Sequence, residues 1–320
     1  QAIMNRSLRH TLLTTAAAAC FSVSAQAAEF VNVLTGGTSG VYYPLGVALS
    51  QIYGKALPDA KVSVQATKAS AENLNLLQAG RGEIAFTLGD ALSEAWKGNE
   101  EAGFKTPLKK LRTVAAIYPN YIQIVASADS GIKTLADLKG KSVAVGAPKS
   151  GTELNARDIF KAAGMSYKDF AKVEYLPFGE SVELMKNRQL DVTVISAGLG
   201  VAAIRDLATS LPVTIIPIPV EVVNKIGEAA YQVGSVPADT YRGQTAAVPT
   251  VAVQNFLVTH QGVSTDNVYA MTRAMFENLD QLVAAHAAAK AINKENAARQ
   301  PPVPLHPGAE KYYREAGLIK

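Results

Sequence analysis

From Phe30 onward, short apolar runs alternate with stretches in which apolar residues recur at helical spacing. Phe30, Val31, Val33 and Leu34 read as a strand, and a helical pattern begins near Tyr42. Residues 62–66 read as the next strand. Ser70 then caps a helix carrying Leu74 and Leu77 that stops at Gly80. Residues 84–88 form a third strand, and Gly89 and Asp90 open a helix with Leu92 and Trp96. Residues 113–117, Pro119 and residues 122–126 make a proline-punctuated extended passage, expected to cross from one lobe to another. The alternation restarts with a short turn over 135–140, a strand at 142–145, and a helix at 153–163 closed by Gly164. Strands at 173–176, 191–195 and 213–218 follow, with helices at 181–187 and 201–207 between them. Residues 250–259 are β-like and are expected to cross back. The pattern then predicts one long helix over 267–288 and an extended proline-rich passage around Pro301, Pro302, Pro304 and Pro307. Strand and helix in alternation imply an α/β fold of two βα lobes around largely parallel sheets, joined by a two-strand hinge.

Between the first strand and the first helix lies GGTSGVYYPLG, residues 36–46. Three glycines are expected to let the chain turn with positive φ, Thr38 and Ser39 supply hydroxyls, and a helix start supplies free N–H groups and a positive dipole end. GAPKSGTE, residues 146–153, repeats this order after the strand at 142–145. Two such loops facing each other would hold a small acid from both sides. Each loop alone also fits a plain strand-to-helix turn. Tyr42 and Tyr43 point about 100° apart on a helix, so at least one belongs to the core; Tyr42 is the candidate ligand neighbour. Lys149 reads as a solvated loop charge.

Composition narrows the setting. Residues 1–27 read as a secretory leader, with Arg6 and Arg9 ahead of an apolar stretch and Ala25, Gln26 and Ala27 as a small-residue cleavage site. The remainder carries 29 basic and 27 acidic residues. That balance argues against a nucleic-acid or anionic-membrane binder. Cys20 is the single cysteine and lies inside the leader, where cleavage or lipidation are the two alternatives. A chain exported without disulfides suits a bacterial periplasm. Beyond the leader, no segment approaches the roughly 18 uninterrupted apolar residues of a membrane span. Residues 28–120 plus 252–320 are expected to form a discontinuous first lobe, and 121–251 the second.

Four segments carry a family resemblance: GGTSGVYYPLG at 36–46, SAENLNLLQAGRGEIAF at 70–86, DLKGKSVAVGAPKSGTE at 137–153, and PLHPGAEKYYREAGLI at 304–319. With these the chain resembles a TAXI-type solute-binding protein of a TRAP transporter. The resemblance implies a type II periplasmic binding-protein fold and a monomeric receptor, not an enzyme and without cofactor. Such a receptor closes on a carboxylate-bearing solute, an amino acid such as glutamate or a 2-oxo or dicarboxylic acid, and delivers it to a sodium-coupled membrane permease. Carried onto this chain, it implies ligand contacts from Thr38, Ser39 and Tyr42 in one lobe and Ser150, Gly151 and Thr152 in the other. Leu88, Gly89 and Asp90 stand where relatives read Gln-Ser-Asp, and Lys68 stands in a loop where they often have glycine. Lys68 is therefore a candidate for a second carboxylate. Gly89, Asp90, Ala197 and Gly198 complete the candidate site. Replacing Ser150 and Thr152 together by Ala is expected to weaken binding and leave unliganded stability nearly unchanged.

Other chemistries fit less well. Gly198, Gly200 and Ala203 match a dinucleotide fingerprint, with Glu221 where a ribose-binding acid would stand; a turn at the mouth of the cleft is the simpler reading. Val41 occupies the last glycine position of a nucleophile elbow built on Ser39. His260, His286 and His306 have no metal-ligand spacing, and His306 reads as a packed or capping residue. Glu100 and Glu101 read as solvated. A periplasmic sensor or an enzyme on the same scaffold are the competing classes.

Overall fold

The computed structural model describes residues 29–320. The predicted leader and Cys20 lie outside the described residues. Phe30–Leu34 (β1), Tyr42–Ala56 (α1), Lys61–Gln65 (β2), Ser70–Gln78 (α2), Ile84–Leu88 (β3) and Gly89–Lys97 (α3) form the first run of βα units. A 17-residue strand, Leu111–Ser127 (β4), leads to Ser142–Ala144 (β5), Gly151–Ala162 (α4), Lys172–Glu174 (β6), Phe178–Lys186 (α5) and Val192–Ala197 (β7). Ala202–Ser210 (α6), Val213–Ile216 (β8), Val220–Ile226 (α7), Tyr231–Val236 (β9) and the long strand Val248–His260 (β10) follow. Thr265–Glu277 (α8), Leu279–Ala285 (α9), Lys294–Ala297 (α10) and Pro307–Glu315 (α11) end the chain. Among the described residues, no helix is long and apolar enough to cross a membrane.

The two long strands organise the sheet. The C-terminal part of β10 lies between β3 and the N-terminal part of β4, giving the order β2-β1-β3-β10-β4. The C-terminal part of β4 lies between β7 and β8, giving β6-β5-β7-β4-β8. The same order is built twice: three parallel strands, then an antiparallel long strand that comes from the other half. β3 and β7, central in their halves, are buried at every position, as parallel strands covered on both faces require. β2 lies at an edge and alternates between exposed and half-buried. Helices cover both faces, with α1, α5, α6, α8 and α11 on one core and α2, α3, α4 and α7 on the other.

Local chemistry sets the element ends. Ser150 accepts the Glu153 N–H and caps α4 from Gly151, two residues before the predicted start at 153. Pro177 precedes α5, which begins at Phe178 rather than at 181. Pro119 sits inside β4 where the ladder with β10 shifts register, between Gln254 and Phe256, so its missing N–H falls at an irregularity. The single long helix predicted over 267–288 is instead two. Asn278 leaves helical geometry (φ −131°, ψ 34°) and donates from Nδ2 to the Ala274 carbonyl at 2.8 Å, the local competition that makes Asn a helix stop.

Candidate functional site

A cleft forms where the C-terminal ends of the parallel strands of both halves meet, the crevice where open α/β sheets expose loop backbone. Four helices begin at it. Val41 and Tyr42 at the start of α1 and Ala69 and Ser70 at the start of α2 line it from one half; Ser150 and Gly151 at the start of α4 and Pro177 and Phe178 at the start of α5 line it from the other. The first N–H groups of a helix have no partner within it, and the helix dipole adds partial positive charge at that end. Side-chain caps are absent from α1, α2 and α5. Lys68 is the one charged side chain among the lining residues, and it is exposed. The cavity measures about 90 Å³, against roughly 10–15 Å³ for one water on the same measure. It suits a molecule of only several non-hydrogen atoms.

The two halves touch on either side of this cleft. A Cβ placed on Gly151 would fall 2.5 Å from Leu88 Cδ1 and 2.6 Å from Ser70 Oγ, so any larger residue would force these two buried side chains to shift. The Glu72 N–H donates to the Lys149 carbonyl at 3.2 Å, and the Ala203 N–H to the Ser39 carbonyl at 3.3 Å. Ala69 holds φ +71° without being glycine, a conformation that costs of order 1–3 kcal/mol and that surrounding structure must enforce.

A hydrogen-bond relay runs beneath the cleft across both long strands. Tyr42 stacks on Phe86 with ring centroids 5.0 Å apart and donates its hydroxyl to Asn255 Oδ1 at 2.5 Å. Asn255 Nδ2 donates to Asn120 Oδ1 at 2.6 Å and to the Tyr118 carbonyl at 2.9 Å. Asn120 Nδ2 donates to the Ser196 carbonyl at 3.0 Å. The relay links α1 to β7 through β10 and β4. Tyr118, beside it, is fully buried with no hydrogen-bond partner for its hydroxyl, and burial pushes that hydroxyl well above the usual phenol range.

A model of the NMT1-like family matches residues 33–317, spanning both halves and the whole cleft. The chain belongs to the NMT1-like family. The fold of this NMT1-like chain is that of type II periplasmic binding proteins over most of its length. It is similar to the alkanesulfonate-binding protein from Xanthomonas axonopodis pv. citri bound to MOPS, at 15% identity and TM-score 0.51, covering 92% of this chain and 96% of that one. It is also similar to a binding protein component of an ABC phosphonate transporter from Pseudomonas aeruginosa, at 13% identity and TM-score 0.54, covering 83% and 80%. A putative L-cystine ABC transporter from Listeria monocytogenes gives 14% identity and TM-score 0.52, covering 83% and 98%.

Within this NMT1-like chain, Tyr42, Lys68, Ser150, Gly151, Thr152 and Ala197 line the cleft together. Thr38, Ser39, Gly89, Asp90 and Gly198 do not. Thr38 is exposed, and Ser39 lies against α5, its Oγ 2.8 Å from where a Gly179 Cβ would be. Gly36, Gly37 and Gly40 line the site without positive φ, contrary to expectation. Gly36 and Gly40 serve close approach: a Cβ on Gly36 would meet Ala69 Cβ, and one on Gly40 the Gly37 carbonyl, each at 3.3 Å. Gly89 packs on Phe256 and Gly198 on Ala288. Asp90 is buried outside the cleft, accepting from Asn155 Nδ2 at 2.8 Å. Burial raises its carboxyl to about 7. Ser150 is committed internally, since its hydroxyl donates to the Ala147 carbonyl at 2.7 Å while accepting from Glu153. At Gly198–Gly200–Ala203, the Ala203 N–H at the start of α6 donates to the Ser39 carbonyl of the other half, so this turn is part of the contact between the halves.

Sequence reasoning missed Tyr118, Asn120, Ser196 and Phe178 as lining residues. The crossing passage around Pro119 was the available signal for Tyr118 and Asn120, because strands that change lobes run under the crevice. Pro177 ahead of Phe178 and Gly179 signalled the helix start there.

Proposed function

We propose that this chain is an extracytoplasmic solute-binding receptor of the periplasm that captures a small carboxylate-bearing solute between two lobes and presents it to TRAP membrane permease subunits. The lobes are residues 28–120 with 252–320, and residues 121–251, hinged where β4 and β10 cross. One observation carries the reading: four helix N-termini, two from each half, converge on one small cleft. Backbone N–H groups held by rigid helices are preorganised donors for anionic oxygen, and hydrogen bonds to a charged acceptor contribute about 1.5–3 kcal/mol each. Because donors from both halves meet on one solute, binding shifts the population toward the closed form. Two fold neighbours that bind or transport sulfonate and phosphonate support an anionic ligand class. The four motif matches support the TAXI-type assignment and its permease partner.

Binding is favoured over catalysis because no His, Asp or Glu stands among the lining residues to act as base for a Ser or Thr nucleophile. A thermal-shift screen of amino acids, 2-oxo acids, dicarboxylates, sulfonates and phosphonates tests the proposal. A carboxylate at 100 times its dissociation constant is expected to stabilise the fold by about 2.7 kcal/mol. Stabilisation only by sulfonates or phosphonates would replace the carboxylate assignment, and turnover of a bound acid would replace the receptor by an enzyme.

A further inference from the structure

Behind the cleft, a buried polar cluster bridges the two halves through α3 on one side and α4 and β9 on the other. Tyr231 of β9 places its hydroxyl 2.6 Å from Asp158 Oδ2 and 3.0 Å from Asp90 Oδ2. Asn155 of α4 donates from Nδ2 to Asp90 Oδ2 at 2.8 Å and to the Tyr231 oxygen at 3.1 Å. Asn155 supplies two amide protons and Tyr231 one phenolic proton, yet the cluster contains four hydrogen-bond contacts. The phenolic proton belongs to the shorter contact with Asp158. The remaining contact, between two oxygens of Asp90 and Tyr231, is attractive only when a carboxyl carries a proton.

We propose that this cluster is a proton-dependent latch: seating one half on the other takes up one proton from solvent, held between Asp90 and Asp158 through Tyr231, and parting the halves returns it. The proposal rests on the reading of the protein as a receptor that closes. Its surroundings hold negative charge close by. Glu94 faces the cluster from α3, Glu228 from the connection between α7 and β9, and Glu101 from the loop before β4; Arg157 and Lys161 of α4 and Lys97 of α3 oppose them. Arg157 is engaged by Glu153 at 2.6 Å. Tyr42 approaches Asp90 from α1. Burial first, then Asp158 and Glu228, push Asp90 upward to about 7, and burial raises Asp158 as well.

The sign follows from linkage. A carboxyl that binds its proton more tightly in the closed form favours closure below its closed-form value and loses that advantage as the pH rises through about 7. Preference for the closed form should strengthen almost tenfold for each pH unit below 7 until Asp90 reaches the ordinary carboxylate range.

The test needs no solute. Ser39→Cys with Gly179→Cys, in a Cys20→Ser background, places two Cβ atoms about 3.7 Å apart across the halves, inside the roughly 3.5–4.5 Å range of disulfides. Carboxyl carbon-13 NMR, assigned with Asp90→Asn, then follows Asp90 against pH. In the oxidised protein Asp90 should titrate near 7, and on reduction its midpoint should fall toward about 4. Ordinary titration in the oxidised protein would overturn the proposal, and an unchanged midpoint on reduction would overturn the link to closure. A cysteine pair that fails to oxidise would contradict the seating of the halves on which the proposal stands. In the oxidised protein, Asp90→Asn should also abolish the part of the thermal midpoint gained between pH 8 and pH 5; an identical pH profile would count against the latch. A failed titration leaves the solute reading intact, and a failed solute screen leaves the titration intact.

Discussion

Ser150 and Gly151 sit side by side at the start of α4 and do different work. Ser150 closes a cap, accepting from Glu153 and donating to Ala147, so its hydrogen is already used before any solute arrives. Ser150→Ala should therefore cost about 1 kcal/mol of unliganded stability in urea unfolding, where the sequence pattern alone suggested almost none. Unchanged stability would return the hydroxyl to the list of ligand donors. Gly151 sets how closely the halves approach. Gly151→Ala drives a methyl group toward Leu88 and Ser70, an overpacking that costs typically 1–3 kcal/mol. Because φ at Gly151 is ordinary, each half keeps its fold and the cost falls on closure: calorimetry should show solute affinity reduced by about tenfold or more, with little change in the unliganded thermal midpoint.

At the scale of elements, His306 shows what a capping residue does when it is also buried. Its Nδ1 accepts the Gly308 N–H at 3.0 Å at the start of α11, and Nε2 reaches the Val263 carbonyl at 2.8 Å. The Nδ1 contact holds only for the neutral ring, with the proton on Nε2 facing Val263, and burial lowers its proton affinity below the ordinary value of 6.5. The unfolded chain then binds more protons than the folded one. The stabilisation is complete above pH 6.5 and is lost as the pH falls below it. His306→Ala should cost about 2–3 kcal/mol at pH 8, combining a lost cap with a buried carbonyl left unpaired, and less at pH 5, where the cap is weakened. An equal loss at both values would contradict the neutral-ring cap. The same element shows how far sequence reaches. Strands such as β3 and β7 were legible because fully buried runs differ from helical spacing, and His306 was legible as a cap from its place before Pro307. The α11 helix itself was hidden by the prolines around it, α7 and β9 fall between 219 and 249, where the pattern assigned no element, and the α8–α9 break turned on Asn278, a residue that helical periodicity ignores. In the cleft, the glycine loops and the KSGT turn were visible, whereas Tyr118, Asn120 and Ser196 enter it only because two long strands cross beneath.

The whole molecule is two copies of one strand order that exchange β4 and β10. That exchange places the ends of six parallel strands around one crevice and aims helix starts inward from both sides. The polar relay from Tyr42 to Ser196 spans the exchange and ties the crossing strands together, so motion between the halves is expected to bend β4 and β10 near Asn120 and Gln254 rather than within either half. A crystal structure of the protein with the carboxylate that stabilises it most tests the central claim directly. Carboxylate oxygens are expected within about 3 Å of backbone N–H groups at the first turns of α4 and of α1 or α2, with the solute enclosed by both halves. A solute bound to one half alone, or seated away from those helix starts, would contradict it.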